Sequence, residues 1–190
     1  MVWSTLMASA AVTAIGDTLN PVDGDRENPA RGLPSTAAVG GHPLHPMMIP
    51  YPVAFLTGAL VTDLAARSTE DPFWARASKW LLGAGIVSGL AAGAVGAIDY
   101  FTIRRAREKT VGKLHAYGNP AALGLAAASL LARRGSGDEP PSTTAVGLSA
   151  ATAALVGVTG WAGAELSYRH MVGVIGENDQ HDHEEKQLVH

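Results

Sequence analysis

Long uncharged stretches dominate the pattern of hydrophobic and polar positions along this 190-residue chain. The run from Pro46 to Thr62 carries no charge and continues to residue 66 with only Asp63 interrupting it. Three further stretches are free of charge: Trp80–Ile98 (19 residues), Leu114–Ala132 (19 residues) and Thr144–Ala164 (21 residues). A bilayer core is crossed by about 20 helical residues. We therefore predict four transmembrane helices.

The segments between these stretches are short, which favours antiparallel neighbours. The predicted fold is all-α, a four-transmembrane-helix up-down bundle, and no clear internal repeat is visible. Residues 1–40 are predicted to be a flexible N-terminal tail and residues 41–175 the four-helix transmembrane domain. Residues 176–190 are predicted to be an acidic, His-containing C-terminal tail.

The distribution of basic residues predicts the orientation of this bundle. With four spans, both tails lie on one side of the membrane, and that side carries nine Lys and Arg residues against five on the other. Because cytoplasmic segments are enriched in Lys and Arg, both termini are predicted to be cytoplasmic, in a plasma membrane.

The amino-acid composition excludes several kinds of cofactor site and argues against some partners. Charged residues make up only 16% of the chain, against roughly a quarter in soluble domains. The chain has no cysteine, which excludes disulfides, thiolate zinc sites and cysteine-ligated iron–sulfur clusters. Lys and Arg number 14 against 17 Asp and Glu, which argues against nucleic acid as a partner. No nucleophile–base arrangement or phosphate-binding loop is visible, so an enzymatic role is not expected.

Polar residues cluster at the span ends on the predicted cytoplasmic side. Ionisable groups joined to apolar spans are costly unless they are partnered, and they often mark functional sites. Neutral imidazole is the commonest metal ligand, and a carboxylate often orients it. The candidate metal ligands are His42, His45, Asp99, His115, Glu165 and His170.

Two cofactors suit this set. Haem b is held axially by two histidines and needs no cysteine, so two of His45, His115 and His170 are the predicted ligands, with Asp99 and Glu165 orienting the imidazoles. A divalent metal bound by histidines and carboxylates is the other cofactor. A polar network that only fixes the helix ends is the structural alternative.

Elsewhere, Asp63 is predicted to pair with Arg67 one turn away.

Several short segments together resemble a bacterial membrane family catalogued as a domain of unknown function, DUF2231. They are Gly41–Met47 (GHPLHPM), Asp71–Ala77, Ile98–Tyr100, Leu114–Ala116, Gly160–Trp161 and Tyr168–His170. The resemblance implies a four-helix membrane protein. Some relatives are fused to a Rieske-type domain, which suggests electron transfer. The histidine positions of the family correspond here to His42, His45, His115 and His170, and its acid after the second span to Asp99.

These observations predict a small integral membrane protein that binds haem b or a metal near one membrane face, for electron transfer or redox sensing. The expected partners are the lipid bilayer, a redox protein or quinone, and a second copy of the chain. The alternatives are a proton or metal-ion carrier and a structural subunit of a membrane complex.

Overall fold

The computed structural model describes residues 32–174, which form four long helices preceded by a small hairpin. The elements, in chain order, are β1 (Ala38–Val39), β2 (His42–Pro43), α1 (Leu44–Met48), α2 (Pro50–Thr69), α3 (Pro72–Thr102), α4 (Arg104–Glu108), α5 (Thr110–Leu131) and α6 (Thr143–Tyr168). Strands β1 and β2 pair antiparallel. The acidic C-terminal segment predicted from residue 176 lies outside the described residues.

Local signals set where the long helices begin. Pro50 and Pro72 occupy the first turns of α2 and α3, where the missing N–H removes no helical hydrogen bond. Asp71 caps α3 by accepting a 2.9 Å hydrogen bond from the Phe73 backbone N–H, and Ser142 caps α6 in the same way. Three of the four long helices therefore start at a proline or at a capping side chain.

The four long helices pack as two hairpins, α2 with α3 and α5 with α6, and contacts of α2 with α6 and of α3 with α5 close the bundle. The interior is a cluster of small and medium apolar side chains, consisting of Leu56, Ala59, Leu82, Ala122, Ala126 and Val156. Small residues let helix backbones approach closely, as is typical of membrane helices. The helical bundle predicted from the charge-free stretches is confirmed.

Three helical segments are long and apolar enough to cross a membrane: Leu44–Thr69, Pro72–Thr102 and Thr143–Tyr168. The fourth predicted span lies in α5, which does not reach the same hydropathy because its first half contains His115, Asn119 and Pro120. By length and composition the structure therefore supports three of the four predicted spans. Apolar side chains face outward along them, and Trp80 is 80% exposed.

Residues 33–39, predicted as the end of the N-terminal tail, pack against the helices. The Leu33 backbone N–H donates to the Met171 carbonyl (2.8 Å), and the Leu33 carbonyl accepts from Gly173 (2.7 Å). The Leu44 backbone N–H donates to the Ala37 carbonyl at 2.9 Å. The chain before α1 is thus fastened beside the end of α6.

Candidate metal centre and buried ion pair

Two of the predicted ligands, His45 and His115, meet in the structure. His45 lies in α1 and His115 in the second turn of α5. Their ring centroids are 5.8 Å apart and the ring planes are perpendicular. We call these two residues the imidazole pair.

Backbone carbonyl groups fix the orientation of both rings. Nδ1 of His45 lies 2.8 Å from the Ala92 carbonyl oxygen in α3, and Nδ1 of His115 lies 2.8 Å from the Thr159 carbonyl oxygen in α6. A carbonyl oxygen only accepts, so Nδ1 carries the proton in each ring, and in the neutral imidazole Nε2 holds the free lone pair. Within residues 32–174 neither Nε2 atom has a hydrogen-bond partner. Both rings are therefore in the tautomer of an Nε2 metal ligand.

A glycine makes room for each ring. A Cβ atom on Gly96 would lie 2.7 Å from Nδ1 of His45, and one on Gly163 would lie 2.9 Å from Nδ1 of His115. Each glycine follows the carbonyl acceptor, Ala92 or Thr159, by four residues. It therefore lies on the same helix face, one turn further along. The absence of a side chain lets the imidazole reach the helical carbonyl.

Asn119 extends the polar cluster around His115. Its Nδ2 donates to the His115 carbonyl at 2.8 Å, and its Oδ1 accepts a 2.9 Å hydrogen bond from the Thr159 hydroxyl. Thr159 thus holds the His115 ring through its carbonyl and the Asn119 amide through its hydroxyl. These contacts pair the polar groups of α5 with α6.

Asp99 does not orient an imidazole, contrary to the sequence-based prediction. Its carboxylate accepts hydrogen bonds from the Ser35 hydroxyl (2.7 Å), the Thr36 N–H (2.8 Å) and hydroxyl (3.1 Å), and the Ala37 N–H (3.1 Å). Because the Ala37 carbonyl accepts from Leu44, the residue before His45, Asp99 fastens the segment that carries His45. Its influence on the ring is therefore indirect.

Glu165, also predicted to orient the rings, pairs with Arg169 at 2.7 Å and has no hydrogen bond to an imidazole within residues 32–174. His42 lies exposed in β2, and His170 lies beyond the end of α6. Nowhere in residues 32–174 do three or more His, Asp or Glu residues come together in a group that could hold a metal ion. The six predicted ligands therefore reduce to one close pair, and backbone carbonyls supply the orienting contacts expected from carboxylates.

His170 lies in a basic environment at the same end of the bundle. Its partial burial and the nearby Lys109 lower the pKa of His170 below its ordinary value of 6.5, as do Arg105 and Arg169, while Glu165 acts in the opposite direction. Its carbonyl accepts a 3.0 Å hydrogen bond from Arg105. These surroundings therefore favour the neutral form of the His170 imidazole.

A second polar centre, which the sequence did not predict, lies at the opposite end of the bundle. Asp63 pairs with Arg133, just beyond α5, and not with Arg67 as predicted; Arg67 donates instead to the Pro141 carbonyl (3.0 Å). The Arg133 guanidinium donates hydrogen bonds to both carboxylate oxygens of Asp63, at 2.5 and 2.7 Å. The side chain of Arg133 is 2% exposed and that of Asp63 is 0% exposed. We call Asp63 and Arg133 the buried ion pair.

Three buried serines complete the hydrogen bonding of this pair. Arg133 donates to the Ser78 hydroxyl (2.9 Å), the Ser129 hydroxyl (2.9 Å) and carbonyl (3.1 Å), and the Ser149 hydroxyl (3.0 Å). Ser78 also donates to Asp63. All five guanidinium N–H groups therefore find acceptors, and groups from all four long helices meet here.

The two hairpins repeat one pattern. His45 packs on Gly96 and His115 on Gly163, which lie in the second long helix of the first and of the second hairpin. Each histidine is followed by a proline five residues later and by a charged residue eighteen residues later. Those charged residues are Asp63 and Arg133, which pair. Equivalent positions of the two halves therefore meet at both ends of the bundle, as two imidazoles at one end and as opposite charges at the other.

Apolar helices of membrane-spanning length, outward-facing apolar side chains and inward-facing charges define this chain as a helical membrane protein. The family described as "Predicted membrane protein (DUF2231)" matches residues 41–176, and the chain belongs to this family. Comparison with curated proteins and comparison with solved structures each gave no match.

Proposed function

We propose that this membrane protein crosses the bilayer four times and binds a metal cofactor at the imidazole pair, with a role in electron transfer or redox sensing. The observation that carries the proposal is that two imidazoles from different hairpins touch with both Nδ1 atoms held by helical carbonyls. Such an outer contact fixes the tautomer and ring direction of metal-ligating histidines. A purely structural histidine has no need of a second imidazole with the same arrangement.

The position of α5 supports a fourth span. Its 22 residues exceed the 20 of α2, and it packs against α3 and α6, which both qualify as spans. Its polar side chains bind neighbouring helices, since His115 and Asn119 both contact Thr159. Inward pairing of this kind is how polar residues are accommodated in membrane helices.

The packed interior favours a resident cofactor over a carrier. Along α2, Leu56 and Ala59 lie between His45 and Asp63, and both belong to the buried apolar cluster. Along α5, Ala122 and Ala126 separate His115 from the other end in the same way. An ion moving along the bundle would have to cross this apolar layer, which is costly for a charge.

The direct test is the metal content and visible spectrum of the untagged protein, purified in detergent from metal- and haem-replete cells. We expect about one metal ion per chain, because each chain contains one imidazole pair of defined ligand geometry. A Soret band would identify haem b as the cofactor. Protein that is colourless and metal-free, and that takes up no added metal or haem, would overturn the proposal.

Single cysteines test the fourth span cleanly, because the natural chain contains none. We expect Glu139→Cys, in the loop after α5, to react with a membrane-impermeant maleimide from the same side as Thr69→Cys, at the end of α2. Glu108→Cys, before α5, should react only from the opposite side, which we propose to be cytoplasmic. Labelling of Glu108→Cys and Glu139→Cys from one side would contradict a membrane-spanning α5.

Alanine at Gly96 or Gly163, the glycines that pack against the two imidazoles, should weaken metal binding. Because the added Cβ would collide with an imidazole, Gly96→Ala and Gly163→Ala must displace the ring from its carbonyl. We expect a loss of about ten-fold or more in metal affinity, the usual range for disturbed outer-shell contacts. Gly93→Ala and Gly160→Ala are matched controls, one turn earlier, where a Cβ meets nothing within 4 Å. Equal affinity in all four variants would argue against this seating.

A further inference from the structure

We infer that the metal of the imidazole pair is monovalent copper, Cu(I), bound by Nε2 of His45 and Nε2 of His115. This inference rests on the proposed function and adds the identity and charge of the ion. Three observations carry it: the neutral surroundings of the pair, the number of ligands, and the separation of the rings.

Among residues 32–174, the groups that hydrogen-bond to the two rings or pack closely against them are uncharged. The rings touch the carbonyls of Ala92 and Thr159 and the backbone of Gly96 and Gly163. The described acids at this end are engaged elsewhere: Asp99 with residues 35–37, Glu108 with Arg104, and Glu165 with Arg169. An ion between two neutral imidazoles therefore keeps its whole charge.

A low charge is favoured in such surroundings. The cost of moving an ion from water into a medium of low dielectric rises with the square of its charge, so a divalent ion costs about four times as much as a monovalent ion of similar size. No carboxylate joins this pair within residues 32–174 to offset a second charge. The site therefore favours a monovalent ion.

The ligand number points the same way. Zn²⁺ in structural sites takes four ligands, and Ca²⁺ and Mg²⁺ take mainly oxygen ligands in larger numbers. Cu(I) has a filled d shell and forms stable two-coordinate complexes with two nitrogen ligands in a nearly linear arrangement. Imidazole is a good ligand for copper. Two histidines alone complete the coordination of Cu(I), whereas they leave Zn²⁺ half coordinated.

The ring separation fits a shared ion. Two imidazoles that bind one ion through nitrogens at about 2 Å have centroids roughly 6 Å apart when the arrangement is near linear. The observed separation is 5.8 Å. Perpendicular ring planes are compatible with two imidazoles on opposite sides of one ion. Both rings are already held at Nδ1 by backbone carbonyls.

The experiment compares Cu(I) with Zn²⁺ on the full-length, untagged protein in detergent, without oxygen. Cu(I) is titrated against the colorimetric chelator bathocuproine disulfonate, and Zn²⁺ against a zinc indicator. Two proteins are compared with the natural chain: the double variant His45→Asn/His115→Asn and the single variant His42→Asn. The Asn amide nitrogen takes the place of Nδ1 and keeps the hydrogen bond to the carbonyl, while Nε2 is removed.

We expect one Cu(I) per chain in the natural protein and in His42→Asn, and at least a hundred-fold weaker binding in the double variant. X-ray absorption should show two nitrogen neighbours around copper. Tight Zn²⁺ binding that depends on the same two histidines, with weak Cu(I) binding, would overturn the copper inference and leave the proposed metal site standing. Absence of any metal binding would overturn both. Copper retained by the double variant would place it outside the pair and also overturn the inference.

Discussion

Asparagine at His45 or His115 should abolish the proposed binding of a metal or haem, while the fold remains. Each single substitution deletes one Nε2 atom but keeps an N–H donor for the carbonyl of Ala92 or Thr159. Because the site offers two protein ligands, the loss of one leaves a single imidazole, and we expect the bound metal or haem to fall below about a tenth of the natural content.

His42→Asn and His170→Asn are the matched controls for that experiment. Both histidines were predicted as ligands, yet His42 is exposed in β2 and His170 lies beyond the end of α6. Both variants should keep the full metal content, measured by mass spectrometry of the metal on protein that elutes at the natural position in gel filtration. Loss of the metal in His170→Asn, with retention in His45→Asn, would exclude the imidazole pair as the centre.

Removing one partner of the buried ion pair should destabilise the protein strongly. Arg133→Met leaves the Asp63 carboxylate buried with a serine as its remaining hydrogen-bond donor, and Asp63→Asn leaves a buried guanidinium without its counter-charge. Uncompensated buried charges of this kind typically cost about 3–5 kcal/mol. We expect a correspondingly lower midpoint in denaturant or thermal unfolding in detergent micelles.

The double variant Asp63→Asn/Arg133→Met provides the diagnostic comparison. With both charges gone, it should be more stable than the sum of the two single effects predicts, because neither charge is left alone. Arg76→Met is the control for loss of an exposed pair: Arg76 and Asp138 are 53% and 47% exposed, and this change should cost less than about 1 kcal/mol. If Arg133→Met cost no more than Arg76→Met, the buried pair would have no special role in stability.

The helices were largely predictable from the sequence because membrane-spanning segments exclude charge over their full length. The stretch Trp80–Ile98 falls inside α3, and Thr144–Ala164 falls inside α6. The absence of charge within the spans does not, however, indicate that Asp63 and Arg133 pair inside the bundle. Arg133 lies directly after the charge-free stretch Leu114–Ala132, whereas Arg67, one turn from Asp63, is a local candidate partner. Pairing across 70 residues depends on how the hairpins pack, which charge patterns along one helix do not show.

The sequence predicts the level of the two histidines of the imidazole pair but not the groups that orient their rings. The depth of His45 and His115 followed from their positions at span ends, and the structure brings them together. The carbonyl groups that orient the rings could not be predicted, because backbone carbonyls have no sequence signature, whereas acidic side chains do. One signal was present in the sequence: each histidine has a proline five residues later and a charge of opposite sign to the other eighteen residues later. That spacing marks equivalent positions of two halves.

The opposite charges at these equivalent positions also determine which hairpin can associate with which. Two copies of the first hairpin, brought together in the same geometry, would place carboxylate against carboxylate, and two copies of the second would place guanidinium against guanidinium. Like charges forced together in a membrane interior repel strongly, so only the mixed combination is stable. The acid and the base at these equivalent positions therefore favour pairing of one hairpin with the other over pairing of either hairpin with a copy of itself.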